Sequence, residues 1–188
     1  MSPGSTPPSA PSAPAGAAPP PGAVVWLTGL PASGKSTLAT RLEARLREAR
    51  VPAVVLDGDE VREVLVPSPG HDPAGRDACY RTLAGLAALL ARRGQVAIVA
   101  ATAHQRAWRE LARARAPRFV EVHVATPVDE CRRRDPKGLY ATAAIAAALP
   151  GVGVAYEPPR CPDVIAPHGD DPRAADAVLA LLGIGGLT

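Results

Sequence analysis

Nine consecutive residues constrain this chain more than any other feature: Gly29-Leu30-Pro31-Ala32-Ser33-Gly34-Lys35-Ser36-Thr37. They fit the phosphate-loop pattern of Gly, four residues, then Gly-Lys-Ser/Thr. Since that pattern recurs by chance, its surroundings decide its meaning. An apolar, β-branched run, Ala23–Thr28, stands before it and reads as a buried strand. After it, Lys35–Arg47 carries Leu38, Leu42 and Leu46 four apart, which makes one face of a helix. A loop between such a strand and helix turns successive backbone N–H groups inward to form an anion nest. Gly34 lets the backbone pass close to phosphate oxygens, and the helix start adds its positive dipole end. Lys35 can reach the β- and γ-phosphates, and the Ser36 hydroxyl can ligate Mg²⁺. A nucleotide site is therefore expected over residues 29–37.

The remaining pattern supplies the sheet that such a loop requires. Apolar runs at Ala53–Leu56, Val96–Ala100, Phe119–Val124 and Asp163–Ala166 read as four further strands. Helical stretches at Arg76–Arg93, His104–Arg115, Pro127–Arg134 and Pro172–Leu182 separate or follow them. Strands alternating with helices give right-handed βαβ units and a parallel sheet covered on both faces. The expected fold is α/β, a P-loop NTPase with a five-stranded parallel sheet flanked by helices. With 188 residues, 47% of them hydrophobic, the chain can bury one core. Residues 23–188 are expected to form that single domain. Of the first 22 residues, 20 are Pro, Ala, Ser or Gly, which predicts a disordered tail over 1–22.

Composition removes several function classes. No apolar run approaches the ~20 residues that cross a bilayer, so no membrane partner is expected. Three cysteines, Cys79, Cys131 and Cys161, are too few for a disulfide framework and lack metal-ligand spacing, which suggests a cytoplasmic setting. A net charge of +3 and 3% aromatic residues suit a small anionic substrate and argue against a nucleic-acid surface.

The second strand runs into Leu56-Asp57-Gly58-Asp59-Glu60-Val61-Arg62. Ligands of open α/β sheets bind outside the carboxyl ends of the strands, so Asp57 and Asp59 are expected beside the phosphates. One carboxylate can hold Mg²⁺ and the other can orient or deprotonate an attacking hydroxyl. The competing assignment is a helix N-cap, where Asp is favoured anyway. Arg62, one turn on, suits a second anion.

These residues resemble the adenylyl-sulfate kinase (APS kinase) family. Gly29–Thr37 looks like that family's phosphate loop, and the acidic motif is similar to its Leu-Asp-Gly-Asp-Asn-Val-Arg. Glu121–Tyr140 contains Asp135-Pro-Lys-Gly-Leu-Tyr140 intact, and Tyr156-Glu-Pro-Pro159 is followed by Pro162-Asp163. The likeness spans about residues 22–183. It implies transfer of the γ-phosphoryl group of MgATP to the 3′-hydroxyl of adenylyl sulfate. By the resemblance, ATP is held by Gly29, Leu30, Pro31, Ala32, Ser33, Gly34, Lys35, Ser36 and Thr37, with Arg134 lying over it. Ser36 and Asp57 hold Mg²⁺, and Asp59 is the base, with Asp57 and Lys35 beside it. Arg62, Arg76 and Lys137 bind the phosphate and sulfate of the acceptor, with Gly138 and Leu139 adjoining. Residues 135–153 form a mobile lid that excludes water. A homodimer is an admissible assembly.

The chain departs from the family on the acceptor side. The family's Gly-Phe-Ser is here Gly70-His71-Asp72, its later Asp and Asn are Gly75 and Cys79, and its lid Phe-Thr-Gly is Leu149-Pro-Gly151. The two family Phe rings sandwich the adenine, and neither is kept. His71 is expected to stack in part and Leu149 to give apolar contact. The loop Ala101-Thr-Ala-His104-Gln105 lacks the family's Ser-Phe-Ile-Ser-Pro. Two alternatives therefore stay open: a kinase for another hydroxylated, anionic metabolite, and a nucleotide-binding regulator without turnover. Trp26, Trp108 and Cys79 are expected to pack, and Ala141–Ala148 to favour helix.

Overall fold

A computed structural model describes residues 22–142 and 147–184. The predicted tail, apart from Gly22, and the middle of the predicted Ala141–Ala148 helix lie outside the described residues. The elements are β1 (Ala23–Thr28), α1 (Lys35–Glu48), β2 (Ala53–Asp57), α2 (Gly58–Val64) and α3 (Pro73–Arg92). They continue with β3 (Val96–Ala100), α4 (Arg106–Arg115), β4 (Phe119–Val124), α5 (Val128–Arg134), β5 (Val164–Ala166) and α6 (Pro172–Leu181).

The five strands form one parallel sheet in the order β2-β3-β1-β4-β5. From β1 the chain builds one half of the sheet, β2 and β3, then crosses to build the other, β4 and β5. The carboxyl end of β1 is therefore the switch point, where an open α/β sheet leaves a crevice for ligand. Register brings the strand ends level there: Leu27 and Asp57 both pair with Ala100, and Thr28 pairs with His123.

A parallel sheet is buried on both faces, which is why β1 is apolar throughout. Val25 and Leu27 face α1 and α6, packing with Leu38, Leu42, Leu46, Ile98, Val122 and Val178. Val24 and Trp26 face the other way, against Leu83, Ala87, Val99, Trp108 and Ala112 of β3, α3 and α4.

Two helix starts differ from the sequence expectation, and both matter for the site. Helix α3 begins at Pro73, three residues before Arg76, because the Asp72 carboxylate caps it by accepting from Gly75 N–H at 2.8 Å. Its buried face is Cys79, Tyr80, Leu83, Ala84, Ala87, Ala88 and Ala91, while Leu86 and Leu89 are exposed. Helix α4 begins at Arg106, which leaves His104 and Gln105 in the loop after β3.

Candidate active site

The loop after β1 has the shape its sequence predicts. Gly34 takes φ +98°, in the region that favours glycine. A Cβ there would lie 2.9 Å from Gly169 Cα, and one on Gly169 would lie 2.1 Å from the Gly34 carbonyl oxygen. Backbone thus meets backbone, and the 168–169 turn backs the loop. Thr126 Oγ1 donates to the Ser33 carbonyl at 2.8 Å and steadies the same turn. Lys35 Nζ donates to the carbonyls of Gly29 (3.1 Å) and Leu30 (2.7 Å). Burial lowers the Lys35 pKa to about 8, against the opposing pull of Cys131, Asp57 and Asp59. The Arg134 guanidinium comes within 3.7 Å of where a Gly34 Cβ would sit, and it is ion-paired with Glu130.

Asp57 combines two assignments that the sequence leaves as alternatives. Its Oδ1 caps α2 by accepting from Asp59 N–H at 2.9 Å. Its Oδ2 accepts from Ser36 Oγ at 2.7 Å, across from the phosphate loop. That hydroxyl–carboxylate pair fits a hard cation that also takes phosphate oxygens and water. Asp59 Oδ2 accepts from Lys137 Nζ at 2.6 Å. Partial burial pushes the Asp59 carboxyl up, but Lys137, Lys35 and His71 outweigh it and hold it below the usual carboxylate range. Lys137 is raised in turn, chiefly by its hydrogen bond to Asp59.

Tyr140 and Gly151 of the 135–153 segment lie against the phosphate loop. The Asp135 carboxylate accepts from Leu139 N–H (2.7 Å) and Tyr140 N–H (2.8 Å), which shapes the turn through Gly138. Tyr140 Oη donates to the Pro31 carbonyl at 3.0 Å. A Cβ on Gly151 would lie 2.3 Å from Leu30 Cδ2. Gly138 and Leu139 therefore build the turn and do not line the acceptor-side cavity described next.

That cavity, of about 410 Å³, is lined by His71, Asp72, Pro73, Arg76, His104, Gln105, Trp108, Ala148 and Val154. Arg76 Nη2 also donates to the Ala148 carbonyl at 2.6 Å, which ties α3 to the 135–153 segment. Two residues expected at the acceptor make other contacts here. Leu149 is only 7% exposed and is not among the lining residues, and its carbonyl accepts from the N–H groups of Val152, Gly153 and Val154. Arg62 does not line it either, since its Nη1 donates to the carbonyls of Pro69 (2.9 Å) and Gly70 (2.6 Å) and organises the loop before α3. Sequence reasoning missed Trp108 and His104 as cavity residues. Trp108 packs in the core as expected, yet it also faces the cavity.

Below this cavity runs a buried polar network that the sequence does not announce. Arg109, 1% exposed, donates through Nε to Glu121 Oε1 (2.8 Å), and through its other nitrogens to the carbonyls of Ala103 (2.5 Å) and Glu157 (2.7 Å). Glu157 N–H donates to the His104 carbonyl at 2.8 Å, and the Glu157 carboxylate accepts from Arg106 N–H at 3.0 Å. Tyr156 Oη and Thr28 Oγ1 lie 3.0 Å apart at the end of β1. Each charged member is paired, as burial requires.

A parallel sheet that opens at its central strand onto such a cradle, with a carboxylate at the next strand end, defines a P-loop kinase. Enzymes of that class use ATP to phosphorylate a hydroxyl group. The chain belongs to the adenylylsulphate kinase family, whose model matches residues 21–166. Over 145 residues it is 44% identical to an adenylyl-sulfate kinase of Chloroflexus aurantiacus, covering 76% of this chain and 78% of that one. It is similar to the Mycobacterium tuberculosis APS kinase solved with AMPPNP and APS, with a TM-score of 0.79, 38% identity, and coverage of 88% and 99% of the two chains. A hexameric APS kinase from Thiobacillus denitrificans matches at a TM-score of 0.60 and 30% identity, over 87% of this chain and 29% of that one.

Proposed function

We propose that this protein phosphorylates the 3′-hydroxyl of adenylyl sulfate with MgATP, giving 3′-phosphoadenylyl sulfate. One observation carries the reading beyond family membership. Asp59 N–H donates to Asp57, whose other oxygen takes the Ser36 hydroxyl of the phosphate loop, and the Asp59 carboxylate accepts from Lys137. This supports a base beside the phosphate loop, where a hydroxyl must meet a γ-phosphate.

The loop amides, Lys35 and Arg134 bind the triphosphate. Ser36 Oγ and Asp57 Oδ2 are the protein oxygens that would hold Mg²⁺, which would offset charge on the ATP phosphates. Asp59 accepts the hydroxyl proton as that oxygen bonds to the γ-phosphorus and the bond to the β-phosphate oxygen breaks. Arg76 and Lys137 supply charge for the anionic end of the acceptor. Lys137 must leave Asp59 for this, so acceptor binding frees the base. The 135–153 segment acts as the lid, and its contacts with Pro31 and Leu30 keep water from the transfer. The three free cysteines, two of them buried, support a cytoplasmic setting.

The test is a coupled ADP-release assay with MgATP, comparing adenylyl sulfate with nucleosides and small anionic alcohols, with the product separated by chromatography. Turnover confined to adenylyl sulfate supports the reading. The absent phenyl pair, with His71 and Leu149 in its place, favours one second reading, a kinase of another anionic alcohol. Turnover of a panel compound alone would establish that reading instead.

A further inference from the structure

We propose that the acceptor's base is seated against a wall made by Trp108 and His104, with His71 closing from the loop before α3, in place of the phenyl pair this chain lacks. The inference rests on the reading of the protein as an adenylyl-sulfate kinase and names the part of the acceptor site that its sequence had left without a base seat.

Phe, Trp and Tyr are scarce in this chain, 3% of all residues, yet Trp108 lines this cavity beside His71 and His104, with Tyr80 packed against Trp108. The Tyr80 and Trp108 centroids lie 4.6 Å apart at 36°. His104 meets Trp108 edge to face at 5.0 Å and 75°, and Tyr80 at 6.4 Å and 74°. Such geometries are attractive beyond the area they bury. Trp108 is also fixed by its Nε1–H, which donates to Asp77 Oδ1 at 2.8 Å. Its ring is thus held before any ligand arrives, which reduces the ordering cost of binding.

His104 is held just as firmly through its backbone, where its carbonyl accepts from Glu157 N–H and Arg109 grips the neighbouring Ala103 carbonyl. Its side chain has bonding capacity left over, since Nδ1 is buried with no partner. Burial, then the charge of Arg76, lowers the His104 pKa, and burial, Arg62 and Arg76 lower that of His71. Both imidazoles are therefore neutral at pH 7, compatible with a guanidinium nearby and suited to stacking on a neutral heterocycle. Arg76 lines the same cavity and is placed for the anionic end of the same ligand. About 410 Å³ accommodates a purine with its sugar. Leu149, the other candidate for this role, is turned into the protein.

Trp26 is fully buried in β1, whereas Trp108, 5% exposed, lines the cavity and is the tryptophan whose emission a cavity ligand can reach. With the nucleotide site saturated by MgADP, adenylyl sulfate is titrated against the wild type, Trp26→Phe, Trp108→Phe and His104→Ala. Adenosine 5′-phosphate serves as an unreactive second probe. Quenching is expected in the wild type and Trp26→Phe and should vanish in Trp108→Phe. In turnover assays, Trp108→Leu and His104→Ala should raise the KM for adenylyl sulfate about five- to a hundredfold, the span of one lost base–aromatic stack, with the KM for ATP unchanged. Should Trp108→Leu fail to fold, His104→Ala carries the KM test alone. No quenching, or an unaltered KM in a folded His104→Ala, overturns the seat while turnover of adenylyl sulfate stands. If the wild type turns over no adenylyl sulfate but adenosine 5′-phosphate still quenches Trp108, the acceptor reading fails and the seat survives.

Discussion

Asp57 offers a way to separate stability from chemistry within one side chain. Oδ1 caps α2 at 2.9 Å, and Oδ2 takes the Ser36 hydroxyl at 2.7 Å, where a cation would bind. Asn is as good an N-cap as Asp. Asp57→Asn should therefore keep the cap and cost under ~0.5 kcal/mol of stability. The neutral amide loses the charge that holds Mg²⁺, so activity should drop at least tenfold and the Mg²⁺ requirement should rise. Asp57→Ala removes both oxygens. Loss of an N-cap costs ~1 kcal/mol, and a domain of this size shifts its midpoint by about 2–4 °C per kcal/mol. The alanine variant should thus melt roughly 2–4 °C lower, while the asparagine variant melts with the wild type. Thermal melts beside a Mg²⁺ titration of the initial rate make the comparison. If Asn and Ala are equally destabilising, or if Asp57→Asn keeps wild-type Mg²⁺ dependence, the division between the two oxygens is wrong.

Lys35→Ala should cut phosphoryl transfer more than tenfold, over ~1.4 kcal/mol of transition-state stabilisation, with far-ultraviolet circular dichroism unchanged. In the free enzyme Lys35 is protonated below about 8 and loses its charge as pH rises through that value. The pH profile of kcat/KM for ATP should therefore fall on the alkaline side near pH 8 while kcat stays level, since bound phosphate restores the charge; an identical limb in Lys35→Arg would remove Lys35 as its cause. Lys137 and Asp59 are 61% and 63% exposed, and such pairs contribute ~0–1 kcal/mol. Lys137→Met should accordingly leave the denaturation midpoint nearly unchanged and raise the acceptor KM; a large loss of stability would contradict the weak, openable contact described here. Asp59→Asn should lower kcat far more than it raises the KM for ATP, and equal effects on both would reduce Asp59 to a structural role.

The nucleotide half of the site was legible because its chemistry is local. Gly29–Thr37 are contiguous, and their strand and helix adjoin them, so a short stretch of sequence contains both the cradle and its supports. Asp57 and Asp59 followed from the rule that strand ends carry ligands. The acceptor half depends on elements far apart in sequence. Trp108 and Asp77 meet across α3 and α4, and Arg109 joins Ala103 to Glu157. Trp108 was expected to pack in the core, where it does lie, but the sequence had no means of showing the cavity on its other side. The start of α3 could have been read, since Asp72-Pro73 is a cap followed by a first-turn proline. Leu149 shows a different limit: a residue aligned with a family ring need not be exposed as that ring is, and here it is 7% exposed.

The bonds that position the acceptor wall are made almost entirely to main-chain atoms. Arg109 grips the carbonyls of Ala103 and Glu157, Glu157 N–H takes that of His104, and Arg106 N–H is held by the Glu157 carboxylate. None of these bonds depends on the side chains at 104, 105 or 108. Positions 104 and 105 can therefore change what the cavity recognises without loosening these main-chain ties, whereas Trp108 is also packed in the core and bonded to Asp77. An enzyme built this way can exchange its acceptor while its phosphoryl donor and transfer geometry remain in place. Libraries confined to residues 71, 104 and 105 are the natural place to redirect it.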